Sequence, residues 1–163
     1  MENEHRFRMS GARFIAETLK GYGITHIFWV EAILRRTLVE MEDLGIRRVL
    51  AHSEKAAAYM ADGYARASGR PSVCMAQSVG AANLASGLQD AFLGNSPVIA
   101  LTGFKPPLAQ YRHAYQEILH HSMFDSTIAL ATLKTYFKDV AEVGHSPYLA
   151  ATVNWQSIFT AYK

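Results

Sequence analysis

The chain has 163 residues, 50% hydrophobic and 18% charged, with a net charge of +2 when its histidines are neutral. That is enough apolar material for one domain with a sizeable core, and the scattered basic residues are too few to argue for nucleic acid. One cysteine, Cys74, rules out a disulfide framework within the chain, and no apolar run nears the roughly 20 residues of a membrane span. A reducing, cytoplasmic setting away from the membrane is the expectation.

Residues 1–9 are polar and charged, lack the apolar core of a signal peptide, and read as a short flexible lead-in. Residues 10–163 read as a single domain. Ser10 suits a helix cap, and Ile15, Leu19 and Tyr22 then share one face up to a stop at Gly23. Ile27-Phe28-Trp29-Val30 reads as a buried strand. A second helix carries Leu34, Leu38 and Met41 and ends before Gly45. Arg47–Ala51 is the second strand, with Val49-Leu50-Ala51 read as buried. Ser53 can cap a third helix reaching about Ser68, with Ala57, Ala61 and Tyr64 on one stripe. Gly69-Arg70-Pro71 is a turn.

Ser72–Ala76 reads as a third strand. The small-residue stretch Gln77–Asn83 reads as a loop into a helix bearing Leu84, Leu88 and Phe92. Gly94-Asn95-Ser96 turns the chain into a fourth strand, Pro97–Thr102. A loop with Pro106-Pro107 follows, then a short helix over Tyr115–Phe124. Beyond it, Ser126–Thr132 fits helix or loop and Thr135–Val140 fits a strand. Ser146-Pro147 is a helix start, predicting a last helix to about Ala161. Strands of about five residues alternating with helices of about 10–15 predict an α/β fold: a three-layer, doubly wound, mostly parallel sheet with helices on both faces.

The sequence lacks G-x-G-x-x-G, G-x-x-x-x-G-K-[ST] and G-x-S-x-G, so neither the usual phosphate loops nor a serine hydrolase elbow is present. No metal site is expected. The adjacent pair His120-His121 cannot turn both rings to one ion from a helix, and solvated or interface histidines are the expectation. The position that draws the eye is Glu54, a carboxylate where a strand turns into an Ala-rich helix. Strand ends of this kind bind ligands in open α/β sheets. A Glu in the first turn also complements the helix macrodipole and needs no chemical role for that.

The run His52-Ser53-Glu54-Lys55-Ala56-Ala57 with Ala61-Asp62-Gly63-Tyr64-Ala65-Arg66 resembles the N-terminal, pyrimidine-binding domain of thiamine diphosphate enzymes of the acetolactate synthase and benzoylformate decarboxylase group. Gly80-Ala81-Ala82-Asn83, Pro97–Gly103 and Tyr115-Gln116-Glu117 agree in order and spacing, over about residues 10–140. The resemblance implies that Glu54 is catalytic, hydrogen-bonding the cofactor pyrimidine at N1′ and favouring its imino tautomer. It implies that Val30, Gly80, Asn83 and Gln116 face the cofactor or a small 2-keto acid substrate. Two segments depart from the family pattern. Trp29-Val30-Glu31 stands in place of a G-x-P-G-G turn, and Gln77–Asn83 in place of S-G-P-G-A-T-N.

The family's diphosphate end is held, with Mg²⁺, by a domain carrying G-D-G…N, and this sequence has no G-D-G. By resemblance, then, the chain takes only the pyrimidine end of thiamine diphosphate. It would need a diphosphate-binding subunit, would be inactive alone, and would pair as a homodimer or larger. The alternatives are a non-catalytic remnant or dimerisation module with the same fold, and an unrelated flavodoxin-like binding domain.

Overall fold

Local chemistry sets the first helix. The Ser10 hydroxyl accepts the Arg13 N–H at 3.1 Å and opens α1 (Gly11–Gly21). Gly23, at φ 77°, takes the left-handed turn that ends it and leads into β1 (His26–Trp29). The computed structural model describes residues 9–30, 35–103, 105, 107–124 and 149–153. The chain continues through α2 (Arg35–Asp43), β2 (Arg47–Leu50), α3 (Glu54–Ser68), β3 (Ser72–Gln77), α4 (Gly80–Leu93) and β4 (Val98–Gly103). A 3-10 turn (Pro107–Ala109), α5 (His120–Phe124) and β5 (Leu149–Val153) follow among the described residues.

The strand order is β2-β1-β3-β4-β5. The first four strands are parallel, in a register that aligns Val49, Phe28, Cys74 and Ala100 across the sheet. β5 runs antiparallel to β4. On one face α1 and α2 bury Ala16, Leu19, Leu38 and Met41 against Ile27, Val73, Met75 and Leu101. On the other, α3 and α4 bury Ala57, Ala58, Ala61, Leu84 and Leu88 against Phe28, Cys74, Ala76 and Ala100. This is the doubly wound, mostly parallel α/β architecture expected from the alternation of elements. The chain leaves β1 for β2 on one side and reaches β3 on the other, so the order reverses between β1 and β3. Crevices for ligands open at the carboxyl ends of strands beside such a reversal.

Several expectations need correction. β2 lies at the edge of the sheet, and Leu50 is 63% exposed while Ala51 is buried. Arg48 covers this edge instead, donating to Leu38 O and pairing with Glu42. Tyr22 caps α1 from the exposed side; Ala16 and Leu19 make its buried stripe. α4 begins at Gly80, so Gly80–Asn83 form its first turn rather than a loop.

The helix expected over Tyr115–Phe124 is reduced to His120–Phe124. Gln116 adopts φ +60°, and the Glu117 carboxylate accepts the Tyr111 and Ala114 N–H groups, which folds this stretch into a loop around the acid. The last helix expected from Ser146 is overturned at Leu149–Val153, which is a strand. The cue at Ser146-Pro147 is local, whereas β4 offers a row of unpaired backbone groups that only a neighbouring strand satisfies. Leu34 and the expectations over residues 126–140 lie outside the described residues.

Candidate functional site

The site forms where β2 turns into α3. Ser53, extended at φ −156°, accepts the Ala56 N–H on its hydroxyl at 3.2 Å and starts α3 at Glu54. Glu54 therefore leaves the first helical turn at the carboxyl end of the sheet, half-buried. Its direction is decided by the next helix. Gly87 brings α4 so close to α3 that an added Cβ there would lie 2.7 Å from Ala58 Cβ and 2.8 Å from Lys55 O. Small residues at the crossing allow that approach, and it lays the Glu54 side chain on the first turn of α4.

At Gly80 an added Cβ would stand 2.5 Å from Glu54 Oε1. The space a side chain would take is held by the carboxylate. Asn83, one turn on and exposed, donates from Nδ2 to Glu54 Oε2 at 3.2 Å. α4 lacks a side-chain cap at Val79 and has no acidic residue in its own first turn. The Glu54 carboxylate, coming from the neighbouring helix, complements the positive end of its macrodipole. Further along, Arg66 donates to Asp62 and to Asp90 O, joining the two helices.

Glu54, Gly80 and Asn83 are thus brought together. Val30 follows β1 at the same end of the sheet, half-buried against the core under α3 and α4. Trp29, the bulky residue of the altered turn, packs on the opposite face with the α1–α2 core. Its indole N–H is buried with no hydrogen-bond partner among the described residues. Gln116 is not joined to this cluster: it is half-buried in the loop before α5, with its amide 3.4 Å from the Tyr115 hydroxyl. Its neighbour Glu117 organises that loop. Burial raises the Glu117 carboxyl, but the N–H groups of Tyr111, Ala114, Arg112 and His113 outweigh this and hold it below its ordinary value.

His120 corrects an expectation. It is 2% exposed, with Nδ1 3.1 Å from Thr102 Oγ1 and Nε2 3.0 Å from Ser78 O. It is a core histidine, neither solvated nor at an interface. The signal available in the sequence was its spacing of four from Phe124, also buried, which puts both on one helix face. Cys74 is likewise core, and burial pushes its thiol pKa far up, leaving it inert. No group of three or more metal-ligating side chains occurs among the described residues, and no helix among them is long and apolar enough to cross a membrane.

The family model described as "Thiamine pyrophosphate enzyme, N-terminal TPP binding domain" matches residues 9–124. The chain is 38% identical over 117 residues to an acetolactate synthase of Arthrospira platensis, covering 68% of this chain and 20% of that protein. It is 39% identical over 112 residues to a probable acetolactate synthase large subunit of Methanocaldococcus jannaschii, covering 68% and 19%. It is 37% identical over 110 residues to a chloroplastic acetolactate synthase of Arabidopsis thaliana, covering 66% and 16%. The matched segment thus spans a fifth or less of these relatives.

Proposed function

The chain belongs to the family of thiamine pyrophosphate enzyme N-terminal TPP binding domains, and from that membership we propose that it forms the pyrimidine-binding half of a thiamine diphosphate site of the acetolactate synthase type. Its reaction is decarboxylation or carboligation of a small 2-keto acid. The observation that carries this reading is the Glu54 carboxylate, seated over the bare Cα of Gly80 and tied to Asn83 at the carboxyl end of the sheet.

The residues present fit that half of the cofactor. Asn83 occupies Glu54 Oε2, and the missing Cβ of Gly80 gives Oε1 room. A half-buried carboxylate with one oxygen so placed can share a proton with a heteroaromatic ring nitrogen, here N1′ of the pyrimidine. Asn83 fixes the rotamer of the acid. Val30 and Ala51 supply an apolar wall at the strand ends that excludes water. Gln116, which the structure leaves apart from Glu54 and Asn83, would have to come from its loop to reach the pyrimidine or substrate. Bound thiamine diphosphate itself supplies the carbon nucleophile and the electron sink for cleavage next to the keto group.

The diphosphate and Mg²⁺ would be held by a domain bearing G-D-G, a motif this sequence lacks, on another chain or on another part of the same polypeptide. Relatives named as large subunits support assembly with other chains.

The test combines this chain with a diphosphate-binding domain of an acetolactate synthase. Glu54→Gln is expected to lower 2-keto acid turnover by about 10²-fold or more while the fold is retained. Full turnover by the variant would reject the catalytic role. The altered turn Trp29-Val30-Glu31 favours a second reading, a non-catalytic module of the same fold. That reading is supported if thiamine diphosphate leaves the Glu54 carboxyl ¹³C signal unmoved even with the partner domain present.

A further inference from the structure

Three buried polar residues form a line that the proposed chemistry leaves unused: Thr102 at 0%, Ser78 at 1% and His120 at 2% exposure. Buried polar groups of this kind are costly unless they are paired. His120 makes the connection, with Nδ1 facing Thr102 Oγ1 and Nε2 facing the Ser78 backbone carbonyl, while the Ser78 hydroxyl is buried with no hydrogen-bond partner among the described residues. A carbonyl oxygen can only accept, so the ring donates from Nε2. In the neutral ring this leaves Nδ1 to accept from the Thr102 hydroxyl.

Ser78 is where this matters. It is a non-glycine residue at φ +42°, the left-handed region that side chains disfavour. Such a conformation persists only if the surroundings over-determine it, and they do. The Ser78 N–H donates to Gly103 O at 2.7 Å, its carbonyl accepts from His120, and the same carbonyl accepts the Ala81 N–H at 3.1 Å. Two residues later comes Gly80, on which the Glu54 carboxylate rests. The peptide that positions this contact is therefore clamped from below by one imidazole.

We propose that His120 is a positioning residue of the Glu54 site: it holds the Ser78 carbonyl, and through the Ser78–Gly80 turn it fixes where Glu54 lies on α4. This rests on the reading of Glu54 as the pyrimidine-facing acid, but its test can be made without the cofactor.

NMR of the full chain reads three probes: the Gly80 amide, the Glu54 carboxyl carbon, and the amides of Leu19 and Met41 on the far face as controls of folding. His120→Leu is expected to shift the Gly80 and Glu54 signals and leave the controls in place. His120→Gln, whose Nε2 reaches the same point, is expected to return both signals to their native positions. The ring ¹⁵N shifts of His120 are expected to report a hydrogen on Nε2. Unmoved Gly80 and Glu54 signals in a folded His120→Leu variant would overturn the proposal. So would a Gln variant displaced as far as the Leu one; if the Leu variant does not fold, His120→Asn, whose shorter amide cannot reach the Ser78 carbonyl, takes its place in both comparisons. Failure of thiamine diphosphate to perturb Glu54 in the native complex would sink the proposed function and leave this result standing.

Discussion

The two faces of the sheet bury similar elements with different side chains. Under α1 and α2 the core is made mostly of large aliphatic residues, Leu19, Ile24, Ile27, Leu38 and Met41. Under α3 and α4 it is mostly alanine, with Gly87 at the crossing. Large side chains stabilise by apolar area. Small ones let two helices approach until a side chain from one rests on the backbone of the other. Only the second face could set Glu54 against Gly80, and so the proposed chemistry is assigned there.

This contrast can be broken from either side. The largest effect is expected from Met41→Ala on the first face. Met41 is fully buried, and its truncation should cost about 2–5 kcal/mol in a denaturant melt. The Glu54 carboxyl signal should stay in place. A smaller loss, about 1–2 kcal/mol, is expected for Gly87→Ala. Its Cβ meets a backbone carbonyl and Ala58, neither of which can swing away. Up to about 1 kcal/mol of helix propensity offsets part of that overpacking. Here stability and the Glu54 signal should change together.

Gly80→Ala separates the two quantities. The new Cβ meets only the end of a flexible carboxylate side chain, so stability should change by less than about 1 kcal/mol. The Glu54–Asn83 hydrogen bond should nonetheless be lost, seen as a displaced Glu54 carboxyl carbon. An unmoved signal would mean that the helix contact does not set the acid. The smallest effect belongs to the loop at the open end of the second face. Glu117 has its carboxyl lowered on folding, so its contribution is present above the unfolded glutamate pKa of about 4.3 and is lost as pH falls through the lowered folded value. The exchange protection of the Tyr111 and Ala114 amides, corrected for the intrinsic rate at each pH, should therefore fall on acidification before that of Leu19 or Met41.

Much of the second face was legible in advance. The Ser53 cap, the helix to Ser68, the strand over Ser72–Ala76 and the family motif around Glu54 are local patterns, and local patterns are written in consecutive residues. The errors share one cause. Leu50 looked buried because it is apolar, but its exposure depends on β2 being an edge. Leu149–Val153 lay in a predicted helix, but β4 offered it a ladder. His120 looked like a surface residue, but its partners are 18 and 42 positions away. Tyr115–Phe124 was expected to be a helix throughout, but at Gln116 the Glu117 carboxylate shapes a loop.

By itself, the sequence determined that strands and helices alternate, that the sheet is mostly parallel, and that an acid stands at the start of α3, because caps, apolar periodicity and motif spacing act over a few residues. Only the tertiary structure decided where that acid lies. The direction of the Glu54 carboxylate follows from how closely Gly87 lets α4 approach α3 and from the space that Gly80 leaves open. Those are distances between helices that no stretch of either one contains.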